Sequence, residues 1–140
     1  QTLYWTVVNS IDEAKYLVGL FNSKAINEMI VDFVPKGKFG GRHQHTLPFV
    51  VTPEYDPENP THQNVVKATS SLLMELESRI DELNETENKT EGLGIFDPSI
   101  YLSSRRRKIR EFIQSQLNTY DEYEQACRLL YGFPNQKITN

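Results

Sequence analysis

A long apolar repeat constrains the fold of this chain more than any other part of its sequence. Six residues recur at intervals of three or four positions: Val65, Thr69, Leu72, Leu76, Ile80 and Leu83. This spacing places them on one face of a helix, as a seam for packing against another helix. Asn59 followed by Pro60 is typical of a helix start, because asparagine is a good N-cap and proline fits the first helical position. The sequence therefore predicts a helix from Pro60 to about Leu83.

Shorter elements are predicted before this helix. Residues 3–8 are rich in aromatic and β-branched side chains, which predicts a strand. Ser10 and Glu13 have the spacing of a capping box. The helix after them has one apolar face: Ile11, Ala14, Leu17, Val18 and Phe21. Ser23 breaks this helix and caps a second one, whose apolar stripe contains Ile26, Met29, Ile30 and Phe33.

Segments without helical periodicity lie on both sides of the long helix. Residues 47–51 are a short apolar run that predicts a strand or extended segment, and residues 55–60 predict a turn. Residues 84–94 are polar and acidic and predict a mobile loop. Residues 95–102 predict an apolar connector that packs onto the body of the protein.

Two further helices are predicted in the last third of the chain. Ser103 or Ser104 can cap the first, whose inner face contains Ile109, Phe112, Ile113 and Leu117. Asp121 can cap the second, which Gly132 ends and whose inner face contains Tyr123, Ala126, Cys127 and Leu130. The sequence thus predicts an α+β fold, with several helices, including a long helical hairpin, packed with a few short strands.

A glycine-basic loop at residues 36–46 carries the clearest indication of binding chemistry. It contains three glycines, three basic residues, two histidines and no acid. Glycine lets a backbone approach a ligand closely, basic side chains neutralise phosphates, and polar side chains donate to base edges. The candidate DNA-binding residues here are Lys36, Lys38, Arg42, His43 and Gln44. A solvated loop whose glycines only serve turns explains the same composition equally well.

A basic run at residues 105–110 is the second candidate for contact with DNA. Arg106 and Arg107 lie near the expected start of a helix, where positive charge opposes the helix macrodipole. A bound phosphate would relieve that cost. The simpler interpretation is a solvated basic face, paired with Glu111 and the acidic loop.

Other kinds of site have little support in the sequence. The single cysteine, Cys127, excludes an internal disulfide, and its place on a helix predicts a buried thiol. His43, His45 and His62 are conceivable metal ligands, although their spacing is not specific for a metal. The sequence has no phosphate loop, no GxGxxG and no GxSxG. We therefore expect no catalytic residue, no enzyme activity and no metal in this chain.

The overall charge and the apparent boundaries of the chain add two expectations. The net charge of −4 gives no general attraction to nucleic acid, so DNA binding needs a local basic patch. The chain enters a strand-like run directly at Gln1, which predicts a segment excised from a larger protein. No apolar stretch is long enough to span a membrane.

Several segments, taken in order, carry a resemblance to a known family. They are Leu3-Tyr4-Trp5, Asp12-Glu13-Ala14-Lys15-Tyr16-Leu17, Leu20-Phe21-Asn22-Ser23, Ile26-Asn27-Glu28-Met29-Ile30, Gly37-Lys38-Phe39-Gly40-Gly41-Arg42-His43, Leu47-Pro48-Phe49 and Pro53-Glu54-Tyr55-Asp56-Pro57 with His62. This order resembles the C-terminal target-recognition (TaqI-like specificity) region of adenine-specific DNA methyltransferases in restriction-modification systems. The resemblance covers residues 3–62. The Asn-Pro-Pro-aromatic step of the methylase is absent.

The resemblance implies that this segment recognises DNA and that another domain of its parent protein performs the catalysis. Residues 1–58 would form the recognition portion, with the glycine-basic loop at 36–46, and residues 59–140 a helical spacer. Duplex DNA would be the ligand, and a cytoplasmic methylase domain elsewhere in the parent would flip the target adenine and bind S-adenosylmethionine. A fused nuclease fits the same family. The alternative is a protein-interaction or dimerisation module that uses the long helix seam to form a homodimer.

Overall fold

A computed structural model of the chain describes residues 6–31, 47–81 and 101–133. The regular structure in these ranges is helical. The helices are α1 (Ile11–Asn22), α2 (Lys24–Ile30), α3 (Leu47–Val51), α4 (Pro60–Ser78), α5 (Leu102–Gln116) and α6 (Tyr120–Leu130). The glycine-basic loop at 36–46 and the acidic loop at 84–94 lie outside the described residues.

The predicted α+β fold is wrong, because the described residues contain no strand. Residues 6–8 of the first predicted strand are irregular, and residues 3–5 lie outside the described ranges. The second predicted strand is helix α3. Its Phe49 ring packs edge-on against Phe21 of α1, with ring centroids 4.7 Å apart. The Thr52 N–H closes the helical turn by donating to the Pro48 carbonyl. An apolar run of five residues fits a short strand and a short helix equally well. Its packing against α1 favours the helix.

The chain divides into two compact units. Unit 1 contains residues 1–70 and 122–140, and unit 2 contains residues 71–121. The division passes through α4 and close to the start of α6. It does not coincide with the predicted boundary at residue 58. That boundary separates a recognition portion from a helical spacer by function, and it remains a prediction.

Short-range capping signals begin and end α1 as predicted. The Ser10 hydroxyl accepts from the Glu13 N–H at 3.0 Å, and the Glu13 carboxylate accepts from the Asn9 N–H at 2.5 Å. Ser23 then ends α1 and begins α2. Its hydroxyl donates to the Leu20 carbonyl at 2.8 Å and accepts from the Ile26 N–H at 3.2 Å. One buried serine therefore joins two helices.

The buried face of α1 differs from the apolar face that the sequence contains. Tyr16, Gly19 and Leu20 are buried, whereas Ile11 and Val18 are 73% and 48% exposed. Gly19 explains the difference, because Thr69 of α4 occupies the space where a Cβ would project from Gly19. The close approach of the two helices, rather than apolar character alone, selects the buried face.

Helix α4 begins as predicted and ends earlier. The Asn59 carboxamide oxygen accepts from the Thr61 N–H at 2.9 Å, and Pro60 is the first helical residue. The first half of the predicted seam is buried, with Val65 at 0% and Thr69 at 2% exposure, but Ile80 is 37% exposed. The seam is thus covered by the protein's own chain at its start.

Helices α5 and α6 have the predicted inner faces and different starts. Phe112, Leu117, Tyr123, Ala126 and Cys127 are buried, as expected. Tyr101, not Ser103 or Ser104, precedes α5, and α6 begins at Tyr120, one residue before Asp121. Gly132 ends α6 at a positive φ of 75°. The Gly132 and Phe133 N–H groups donate to the carbonyls of Leu129 and Arg128, which is the Schellman pattern.

Candidate nucleic-acid interface

Two of the seven predicted DNA-binding residues lie in the described part of the chain. Arg106 and Arg107 are on α5, in unit 2. The other five lie outside the described residues: Lys36, Lys38, Arg42, His43 and Gln44. Their role therefore remains a prediction, and the site that can be built from contacts is the one on α5.

Three arginines share the solvent face of α5, which we call the arginine face: Arg106, Arg107 and Arg110. A helix advances by about 100° per residue, so these positions lie within about a quarter turn of one another. All three are exposed. The opposite side of the helix carries Phe112, which is buried. The helix contains five basic residues and one acid between positions 102 and 116, so it is a local positive patch on an acidic chain.

The charged neighbours of the arginine face leave it largely open to solvent. Arg105 and Lys108 are half-buried and lie toward the inner side of α5. Arg107 is 3.8 Å from the Glu111 carboxylate, and both side chains are mostly exposed. An exposed pair of this kind contributes little stability and exchanges readily with another anion. The face can therefore accept phosphate oxygens without breaking a buried ion pair.

The start of α5 carries two features that the sequence interpretation missed. Tyr101 makes no side-chain cap, and the first turn holds no acid. Tyr101 is also 82% exposed and Leu102 is 56% exposed. The predicted apolar connector at 95–102 is therefore wrong at its last two residues, which do not pack onto the body. The spacing gave no warning, because Tyr101 lies eleven residues before Phe112 and Leu102 lies seven before Ile109, both of which continue the apolar stripe.

A polar clamp within unit 2 fixes the end of α5. The Glu75 carboxylate of α4 accepts from the backbone and side chain of both Asn118 and Thr119, at 2.7–3.1 Å. The hydrogen bond from the Thr119 hydroxyl, followed by those from the two backbone N–H groups, lowers the pKa of Glu75 to about 2. Arg79 lies over the Phe112 ring at 5.2 Å and donates to the Gln116 carbonyl. These contacts hold the helix that presents the arginine face.

Of the three histidines that the sequence left as conceivable metal ligands, only His62 lies among the described residues. His62 is buried, and its Nδ1 accepts from the Asp56 N–H at 3.0 Å. Its ring packs against Tyr16 at 5.0 Å between centroids. The described part of the chain contains no group of three or more metal-binding side chains. His62 thus serves the fold, and His43 and His45 lie outside the described ranges.

Cys127 is a buried structural thiol, as predicted. It is fully buried in unit 1, and burial, with a smaller contribution from the Glu124 carboxylate, raises its pKa to about 12. A thiol in this state is a poor nucleophile, because the thiolate is the reactive form. Cys127 offers no catalytic chemistry.

The described residues include no helix long and apolar enough to cross a membrane. Comparisons with protein-family models, with curated proteins and with solved structures found no match to this chain.

Proposed function

We propose that this chain is a DNA target-recognition module of an adenine-specific DNA methyltransferase in a restriction-modification system. In this proposal it binds duplex DNA and positions it for a methylase domain elsewhere in a cytoplasmic parent protein. S-adenosylmethionine belongs to that domain, and this chain performs no catalysis itself. The arginine face of α5 is the structural observation that carries the proposal. The ordered resemblance over residues 3–62 supplies the family.

The arginine face suits a phosphate backbone in geometry and in charge. Arg106, Arg107 and Arg110 share one side of α5 and are exposed. Phosphate contacts by arginine position a protein on DNA without reading sequence. Base reading then falls to the glycine-basic loop, where His43 and Gln44 are the proposed readers. The net charge of −4 makes binding by the whole chain weak. The phosphate contacts make it salt-dependent.

The test is a titration of the chain with duplex DNA at several salt concentrations. Replacing Arg106, Arg107 and Arg110 together by glutamine should weaken binding at low salt by about tenfold or more. The slope of log affinity against log salt should fall by roughly two to three, since each lost phosphate contact removes about 0.9. A second variant, with Lys36, Lys38 and Arg42 changed to alanine, tests the glycine-basic loop in the same way.

The matched control is Lys67→Gln, which removes an exposed positive charge from α4 in unit 1. It should leave the salt slope unchanged, because it lies on another unit. If the triple arginine variant binds DNA with the affinity and slope of the unchanged chain, the arginine face is not the interface. If the loop variant alone has no effect, only the loop assignment fails.

A protein-interaction module remains a second candidate, and one observation favours it. Apolar side chains of α1 and α3 are exposed in unit 1, with Ile11 at 73%, Phe49 at 45% and Val50 at 76%. None of these residues belongs to the predicted seam, whose first half is buried. Sedimentation velocity at rising concentration tests pairing with a second copy. A dimer that Ile11→Asp converts to a monomer would support pairing through the start of α1, and a strict monomer would exclude self-association.

A further inference from the structure

Two apolar side chains extend into solvent at the N-terminal end of the arginine face. Tyr101 is 82% exposed and Leu102 is 56% exposed. Leu102, Arg106 and Arg110 are four residues apart, so they form one row along α5. The row therefore begins with exposed Leu102 and continues with positive charge, and Tyr101 directly precedes it in the chain. Exposed apolar groups adjoining a charged face commonly mark a binding surface.

Resting on the proposed DNA-binding function, we infer that Tyr101 and Leu102 contact an unstacked base while the arginine face holds the neighbouring phosphates. The preferred ligand is then DNA with a step that opens easily, such as a bulge or a mismatch. Aromatic side chains stack on exposed bases, and leucine is among the residues that wedge between base steps. Phosphates held by the arginines would bring bases next to the apolar pair.

The local backbone suits this role. The Tyr101 carbonyl accepts from the Arg105 N–H at 3.0 Å, which fixes Tyr101 to the start of α5 while its ring stays in solvent. The first turn of α5 contains no acid, so no carboxylate there repels a phosphate. The helix macrodipole adds to the attraction for an anion at this end. The backbone of Tyr101 is thus fixed to the start of a helix that carries the arginine face.

The test compares two duplexes that differ only by one unpaired base, with 2-aminopurine in that position. The full chain should bind the bulged duplex about fivefold more tightly or better, the lower end of the effect of stacking one base on an aromatic ring. Its fluorescence should change on binding. The double variant Tyr101→Ala, Leu102→Ala should lose this preference and keep its affinity for the regular duplex.

Met74→Ala is the matched control, because Met74 is a 70% exposed apolar residue in the same unit. It should behave as the unchanged chain does, and circular dichroism should show equal helicity for all variants. If the double variant keeps the full preference for the bulge, the inference is wrong while DNA binding stands. If the folded, unchanged chain binds neither duplex, the proposed function itself fails.

Discussion

The two units use their polar side chains in opposite ways. In unit 1 two polar side chains, Tyr16 and Glu124, are buried and bonded to backbone far away in sequence. The Tyr16 hydroxyl donates to the Pro53 carbonyl at 3.0 Å, and the Glu124 carboxylate accepts from the Lys24 and Ala25 N–H groups at 2.8–3.0 Å. In unit 2 the equivalent clamp, Glu75, is only half-buried. Arg106 and Arg107 stay in solvent.

This difference separates residues that stabilise the fold from residues that are available for binding. Buried polar groups that are fully bonded specify one packing arrangement, and changing one of them leaves its partners unsatisfied. Among the described residues, the arginine face forms one exposed ion pair, between Arg107 and Glu111, which contributes little to the fold. Changes in unit 1 should therefore alter stability, and changes on the arginine face should alter binding. Thiol labelling and urea denaturation test the part of this difference that concerns stability.

The largest expected effect is the protection of the Cys127 thiol in unit 1. Burial raises its pKa to about 12. At pH 8 the thiolate population should then be on the order of a thousandfold below that of an exposed cysteine. A disulfide reagent should label the folded chain very slowly and the denatured chain at the ordinary rate. The signal is unambiguous because the chain has one cysteine. Labelling of the folded chain at the rate of a free thiol would show that unit 1 is not closed.

Glu124→Ala should give the largest loss of stability. The change leaves two N–H groups at the start of α2 without their acceptor, in a site where Glu124 is only 7% exposed. We expect the free energy of unfolding to fall by about 2–3 kcal/mol, in line with losing charge-assisted hydrogen bonds at a buried cap. Urea denaturation followed by circular dichroism measures it. Glu124→Gln, which keeps one acceptor oxygen, should lose less, and equal losses would argue against the capping role.

Gly19→Ala should destabilise unit 1 by a smaller amount. The new Cβ would collide with the Thr69 hydroxyl. Overpacking of this kind costs about 1–3 kcal/mol, and the better helix propensity of alanine offsets up to about 1 kcal/mol. The expected net loss is about 1 kcal/mol in the free energy of unfolding. Thr69→Ala added to Gly19→Ala should recover part of the loss. A double variant no more stable than Gly19→Ala alone would contradict the close approach of α1 and α4.

The sequence predicted the helix boundaries that are set by short-range caps. Ser10, Ser23, Asn59 and Gly132 act within a few residues of themselves and lie where the spacing placed them. The prediction of a strand or extended segment at 47–51 is wrong because its apolar side chains fit a strand and a helix equally well. Its helical form depends on the ring contact between Phe49 and Phe21, which are distant in sequence.

The candidate site was predictable in part. The basic run predicted that Arg106 and Arg107 lie near the start of a helix. Both are on α5 and exposed, as a solvated charged face requires. Tyr101 and Leu102 were missed because an apolar residue is expected to be buried, and only the packing around it decides otherwise. The buried face of α1 was missed for the same reason. Its burial depends on Gly19 and on hydrogen bonds of Tyr16 and Tyr123 to distant carbonyls.

The smallest expected effect belongs to the clamp of unit 2, where Glu75→Gln should lower stability slightly at neutral pH. The hydrogen bonds from Thr119 and Asn118 lower the pKa of Glu75 from 4.5 to about 2 in the folded chain. A lowered folded pKa contributes stability that is fully present above the unfolded pKa and is lost as pH falls through the folded value. The difference between the unchanged chain and Glu75→Gln should therefore shrink between about pH 5 and pH 2. Because Glu75 is partly open to solvent, screening keeps the effect small at every pH.

Urea midpoints of the two proteins across this pH range measure the effect of Glu75. Glu77→Gln, an exposed acid on the same helix, is the control and should show no such trend. A difference that stays constant from pH 7 to pH 2 would mean that the carboxylate charge does not strengthen the clamp. In that case the hydrogen bonds of residue 75 would hold the end of α5 without help from its charge, beside the contacts of Arg79 with Phe112 and Gln116.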